Sequence, residues 1–162
     1  MAQPRRAKNK VKKQQGARIL VVESRFYDDI AEMLLEGAAR AMGDADATWE
    51  RISVPGSLEI PTAIQIALDA AEKQRKPYDG VVALGCVIQG ETFHFDIVAM
   101  QSARALLDIA MERRMPIGNG ILTVDTREQA LARARPDEGD KGGDAARAAL
   151  ALIELKRQPA KR

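Results

Sequence analysis

Apolar and polar positions along this chain switch repeatedly between two periods. Residues 18–22 (Arg-Ile-Leu-Val-Val) are a short apolar, β-branched run, which predicts a buried strand. Over 27–42, Ile30, Met33, Leu34, Gly37, Ala38 and Ala41 recur three or four residues apart, the spacing of an amphipathic helix. Residues 48–54 predict a second strand, ended by Pro55-Gly56. A helix is expected over 60–73, with Pro61 tolerated in its first turn. The near-continuous apolar run 78–88 suits a central parallel strand, and a helix follows over 95–114. Residues 116–123 predict a fourth strand, in which Gly118 and Gly120 point to close approach of another backbone or a ligand. Two closing helices are expected over 126–135 and 142–157.

Strands that alternate with helices build βαβ units around a parallel sheet, so the expected class is α/β. In such sheets ligands bind beyond the carboxyl ends of the strands. The unusual residues of this chain fall there. Ser24-Arg25-Phe26-Tyr27 follows the first strand, and Pro55 to Glu59 the second. The stretch 85–94 follows the third, and 119–123 closes the fourth.

A length of 162 residues suits one domain with a sizeable core. One Cys excludes an intrachain disulfide, and one His excludes a multi-histidine zinc site. No apolar run approaches the ~20 residues of a membrane helix, so a soluble protein in a reducing compartment, the cytoplasm, is expected. The net charge of +2 conceals a segregation. Residues 1–16 carry six basic residues and no acid, and the last seven carry four more. All 23 acidic residues lie in 17–155 against 15 of the 25 basic ones, so the body carries −8. An acidic body argues against a nucleic-acid-binding fold, and no nucleic-acid partner is expected. The expected organisation is a solvated, disordered basic arm over 1–16, a single domain over 17–157, and a basic tail over 158–162.

Several side chains could carry chemistry. His94 has the one side-chain type whose unperturbed pKa suits proton transfer near neutrality, although it could equally be a packing residue at a helix start. Gly90-Glu91-Thr92 leads into a helix, where free backbone N–H groups can hold an anion and Thr92 could serve as a plain cap. Arg133 and Lys141 suit a phosphate, one as a bidentate fork and one as a point charge, yet both also fit a solvated loop. Phe26 could stack on a planar ring, or sit in the core. Glu59 could accept hydrogen bonds from hydroxyls, or complement a helix dipole. Cys86 reads as a small hydrophobe. Neither a Gly-x-Gly-x-x-Gly fingerprint nor a Walker loop is present, so dinucleotide and NTP readings lack their motifs.

The segments 54–61 (Val-Pro-Gly-Ser-Leu-Glu-Ile-Pro), 83–96 (Ala-Leu-Gly-Cys-Val-Ile-Gln-Gly-Glu-Thr-Phe-His-Phe-Asp) and 119–123 (Asn-Gly-Ile-Leu-Thr) resemble the signature segments of the lumazine synthases. The likeness runs from about Arg18 to Leu155. It implies a three-layer, flavodoxin-like fold with a four-stranded parallel sheet covered by helices on both faces. It also implies the penultimate step of riboflavin biosynthesis, without cofactor or metal. In that step 5-amino-6-ribitylaminouracil condenses with 3,4-dihydroxy-2-butanone 4-phosphate to 6,7-dimethyl-8-ribityllumazine.

By the same resemblance, Phe26 would stack on the pyrimidine, and Ser57, Leu58, Glu59, Cys86, Val87, Ile88 and Asn119 would bind the pyrimidine and its ribityl chain. Glu91, Thr92 and Arg133 would hold the phosphate, His94 would transfer protons, and Lys141 would lie beside the site. A homopentamer with each site shared between two subunits is implied. Shell-forming relatives commonly carry Gly-x-Lys-x-Gly-Asn where this chain has Arg135 to Asp140. Pro136 biases Arg135 away from the helical region, and three acids would repel around a shell axis, so a free pentamer is expected. The alternatives are a catalytically weak flavin- or lumazine-binding protein of the same fold, and an RNA-associated protein acting through its basic arm.

Overall fold

The computed structural model describes residues 11–159. Four strands, β1 (Arg18–Ser24), β2 (Thr48–Val54), β3 (Gly80–Ile88) and β4 (Ile117–Val124), form one parallel sheet in the order β2-β1-β3-β4. Five helices accompany them among the described residues: α1 (Asp28–Asp44), α2 (Ile60–Lys73), α3 (His94–Arg113), α4 (Arg127–Ala134) and α5 (Lys141–Arg157). A single 3-10 turn, Ser57–Glu59, precedes α2. All the predicted elements are present, in order.

The period of two in β1 and β3 divides the core between the faces of the sheet. Ile19, Val21, Val82 and Leu84 pack with Ile30 and Leu34 of α1 and with Ala146, Leu150 and Ile153 of α5. Leu20, Val22, Val81 and Ala83 face Ile60, Ile64 and Leu68 of α2 and Leu106 and Ile109 of α3. Both faces are covered, which is why β1 and β3 read as unbroken apolar runs. β2 and β4 are the edges, and β2 is largely exposed along its length.

The close approach expected at Gly118 is present. A Cβ built there would lie 1.8 Å from the carbonyl oxygen of Ala145 on α5. The backbone of α5 therefore rests directly on β4, and only glycine leaves room for it.

The β1–α1 and β3–α3 connections lie on opposite sides of the point where the strand order reverses. Parallel pairing sets Val22 beside Ala83 and Glu23 beside Leu84, so both strands end at the same edge of the sheet. This is where an open α/β sheet presents a crevice.

The basic arm expected over 1–16 lies outside the described residues as far as residue 10. Residues 11–16 are held against the body. Gln14 is buried and donates its backbone N–H to the Ala45 carbonyl at 2.7 Å. Val11 packs on the α1/α5 core. Lys12 reaches Glu154 at 2.8 Å, and Lys13 reaches Asp46 at 3.2 Å. Two of the six like charges, Lys12 and Lys13, thus meet acids of the negatively charged body. Of the basic tail, residues 160–162 lie outside the described residues.

Gly118→Ala is expected to destabilise the fold by about 1–3 kcal/mol or more, because both partners of the clash are backbone. A urea titration comparing midpoints would check it, and an unchanged midpoint would mean that α5 can lift off β4 freely.

Candidate active site

Three connections meet at the carboxyl edge of the sheet and enclose a cleft of about 500 Å³. The β1–α1 turn supplies Ser24, Phe26 and Tyr27. The turn after β2 supplies Pro55, Gly56, Ser57, Leu58 and Glu59. The end of β3 and the start of α3 supply Cys86, Val87, Ile88, Gly90, Thr92, His94, Phe95 and Val98.

The local chemistry explains these placements. Pro55-Gly56 stops β2 and lets the chain fold into the 3-10 turn. Ser57 then sits buried over β3, where a Cβ on Gly85 would come within 2.7 Å of its hydroxyl oxygen. Gly85 is thus the gap in β3 that admits the turn. The Glu59 carboxylate folds back over Gly56. His94 begins α3, and its backbone N–H donates to Thr92 Oγ1 at 3.4 Å, so Thr92 helps close the helix start. His94 is exposed at the mouth of the cleft.

Phe26 is not a core residue. It stands 72% exposed, edge-on to Tyr27 with ring centroids 5.0 Å apart. A large apolar ring left in solvent beside a cleft is available to a planar ligand. Cys86 does pack as a small hydrophobe within the α1/α5 core. Burial pushes its thiol up to about 11, against a smaller opposing pull from Arg127.

Asn119, Arg133 and Lys141 are elsewhere. They line a second hollow of about 400 Å³ along the edge strand β4, between α4 and α5. Asn119 Oδ1 accepts the Ile121 N–H at 2.9 Å, which satisfies a donor that an edge strand would otherwise expose. Arg133 donates to the Gln129 carbonyl at 3.1 Å, and Lys141 lies 3.6 Å from Asp144. The turn between α4 and α5 ends in Asp140, a left-handed residue with φ of 48°. Its carboxylate caps Gly143 at 3.3 Å and receives Arg147 at 2.9 Å, which fixes where Lys141 begins α5.

One chain thus divides the expected residues between two hollows. Phe26, Ser57, Leu58, Glu59, Cys86, Val87, Ile88, Thr92 and His94 share the first. Asn119, Arg133 and Lys141 share the second. Glu91 is exposed between Gly90 and Thr92 without lining either hollow. Sequence reasoning gave no role to Ser24, whose buried hydroxyl has no partner among the described residues, or to Glu23, a fully buried carboxylate. Glu23 carried a signal, being a charge that interrupts an apolar strand. Among the described residues no three His, Cys, Asp or Glu side chains cluster as a metal site would need. No described helix is long and apolar enough to cross a membrane.

The model of the 6,7-dimethyl-8-ribityllumazine synthase family matches residues 16–157, nearly the whole chain. The chain belongs to this family. A 6,7-dimethyl-8-ribityllumazine synthase of Rhodopseudomonas palustris (strain BisA53) is 59% identical over 162 residues, 99% of each chain. One from Methylocella silvestris is 57% identical over 159 residues, 98% of this chain and 97% of the relative. A protein of Rhizobium meliloti (strain 1021), named 6,7-dimethyl-8-ribityllumazine synthase 1, is 61% identical over 140 residues, 86% of this chain and 92% of the relative.

The buried thiol yields a pH prediction. With its pKa at about 11 rather than 9, Cys86 holds about a hundredfold less thiolate at pH 8 than an ordinary cysteine. Alkylation by iodoacetamide, followed by mass spectrometry, should be slower by at least that factor in the folded protein. A raised folded pKa also means that the thiol's contribution to stability is complete below pH 9 and is lost as the pH climbs through 11. Alkylation at the rate of a free thiol at pH 8 would contradict the burial.

Proposed function

We propose that this chain acts as a 6,7-dimethyl-8-ribityllumazine synthase, condensing 5-amino-6-ribitylaminouracil with 3,4-dihydroxy-2-butanone 4-phosphate. The observation that carries this reading, beside family membership, is the first cleft. It gathers an exposed aromatic ring, a buried serine turn, the open end of a central strand and the chain's single imidazole around one space. The pyrimidine lies against Phe26, with its polar edge and ribityl chain along Ser57–Glu59 and Cys86–Ile88. The amine adds to the ketone with loss of one water, phosphate is eliminated, and the ribityl-bearing nitrogen closes the ring onto the remaining carbonyl with loss of a second water. Each of these steps moves protons, and His94, exposed at the mouth, exchanges them between nitrogen, oxygen and solvent. Loss of phosphate needs an anion site, which the backbone N–H groups near Glu91 and Thr92 and the guanidinium of Arg133 provide.

Arg133 reaches that site from a neighbouring subunit. Within one chain Arg133 and His94 line different hollows, and in this reading a second copy brings them together. Cyclic closure satisfies every such contact, and the reading is a homopentamer in the cytoplasm. Support comes from α3, where Phe93 just before the helix and Ile97, Met100, Leu107 and Met111 within it form an exposed apolar stripe at spacings of three, four and seven residues. Such a face marks a protein contact. Assembly stops at the pentamer because the turn after α4 carries Arg135 in extended backbone (φ −57°, ψ 126°) before Pro136, and presents Asp137 and Glu138 to solvent.

The shared site has a direct test. His94→Ala should slow condensation by about one to two orders of magnitude while positioning persists. Arg133→Ala should also be impaired. Co-assembling equal amounts of the two variants should restore activity at about a quarter of the sites, where an intact His94 meets an intact Arg133. No recovery in mixed assemblies would place each site within one chain. A wild-type rate no faster than the uncatalysed reaction would favour the flavin- or lumazine-binding alternative.

Arg133→Lys should raise KM for the butanone phosphate more than KM for the pyrimidine, because a point charge replaces a two-point grip. Steady-state kinetics with each substrate varied in turn would show it. Equal losses for both substrates would make Arg133 structural.

A further inference from the structure

Arg25 sits between two residues of the cleft, Ser24 and Phe26, yet it does not line the cleft itself. Its guanidinium uses all three nitrogens, each on a different carboxylate. Nη1 lies 3.0 Å from Glu23 Oε1, Nε 3.2 Å from Asp28 Oδ1, and Nη2 2.6 Å from Glu32 Oε2. Glu23 belongs to the end of β1, and Asp28 and Glu32 to the first two turns of α1. One rigid planar group therefore bridges the strand and the helix across the turn that carries Phe26.

The anchor of this bridge is Glu23, which is fully buried and also takes Ser53 Oγ at 3.0 Å and lies 3.5 Å from Arg51. A buried carboxylate must be compensated, so the Arg25 pair is held firmly. Asp28 and Glu32 are exposed, and each alone contributes little, but together they set the direction of the fork. Phe26 has no core packing to orient it, being 72% exposed with Tyr27 as its aromatic neighbour. The direction of its ring depends on the backbone path of the turn.

We propose that Arg25 is a positioning residue whose three-carboxylate bridge between β1 and α1 fixes the turn and holds Phe26 as the stacking platform for the pyrimidine substrate. The proposal rests on the reading of Phe26 as the stacking residue.

The test is a mutant cycle in the full-length assembled protein. Arg25→Lys keeps a positive charge for Glu23 but cannot reach three carboxylates at once. It should raise KM for 5-amino-6-ribitylaminouracil by about three- to tenfold, with KM for the butanone phosphate within about twofold of wild type. Phe26→Ala should raise the pyrimidine KM by at least as much. Adding Arg25→Lys to Phe26→Ala should then have no further effect on it, because two residues acting through one contact are not additive. A purely structural role would not produce that loss of effect. Should Arg25→Lys fail to fold, Glu32→Gln alters an exposed partner only, and the same cycle with Phe26→Ala decides, with a smaller rise expected.

An unchanged pyrimidine KM in Arg25→Lys, or in Glu32→Gln when that variant decides, would overturn the proposal and leave stacking intact, provided that Phe26→Ala raises the KM. So would an effect of equal size in both backgrounds. If Phe26→Ala itself leaves the pyrimidine KM unchanged, the stacking reading falls and the proposal falls with it. Wild-type turnover, measured beside them, separates these results from a failure of the condensation reading as a whole.

Discussion

Everything placed at the first cleft depends on β1 and β3 running parallel and in register. Pairing of Glu23 with Leu84 ends β1 beside the middle of β3, so that Cys86–Ile88 run on past it toward the same edge of the sheet. Parallel neighbours need long crossovers, and those crossovers are the helices that cover both faces. The same constraint delivers the β1–α1 turn, the turn after β2 and the start of α3 to one edge. Reversal of strand order between β1 and β3 then leaves a gap between crossovers that pass to opposite sides. Ser57 closes the floor of that gap over Gly85, and Phe26 and His94 stand at its rim.

Charge is handled differently inside and outside this frame. Most ion pairs are on the surface, where each contributes little. Two carboxylates depart from that pattern. Glu23 is enclosed with Arg25 and Ser53, and Asp140 is nearly enclosed with Arg147. Each sits at a corner where the chain turns next to a candidate site residue, Phe26 in one case and Lys141 in the other. Ion pairs with such buried partners fix geometry, since leaving either carboxylate unpaired would carry a desolvation cost. Phe26, Glu59 and His94 are exposed, whereas Ser57 and Cys86 are buried at the base of the cleft, and neither Glu23 nor Asp140 lines a hollow.

The candidate site residues of one chain are divided between two hollows. One hollow follows the end of β3, and the other follows the edge strand β4 with α4 and α5. A chain with β4 at its sheet edge has no element of its own beyond Asn119. The exposed apolar stripe on α3 is the kind of surface that a second copy covers. In the proposed function, a contact between copies is what would join proton transfer to phosphate binding.

Element order and the two-sided core are legible in the spacing of apolar residues alone. Periods of two and of three to four alternate clearly from Arg18 to Arg157, and Ile19 to Val22 and Val81 to Leu84 lack polar positions because both sheet faces are covered. The positions of Ser57, Glu59 and His94 after strands were legible too, whereas Arg133 lies in α4 and follows no strand. Tertiary structure decided what depends on distant partners. Phe26 is exposed because the β1–α1 turn carries it off the core, and no local pattern distinguishes such a ring from a buried one. Glu23 is buried because Arg25 and Ser53 meet it, and one of those partners lies thirty residues away. Residues 11–16 lie on the body because Gln14 bonds its backbone to Ala45 and Val11 packs on the α1/α5 core, with Lys12 and Lys13 reaching Glu154 and Asp46, which a run of like charges does not reveal. The separation of His94 from Arg133 also belongs to the fold, because spacing along a chain does not say on which side of β4 a helix will lie.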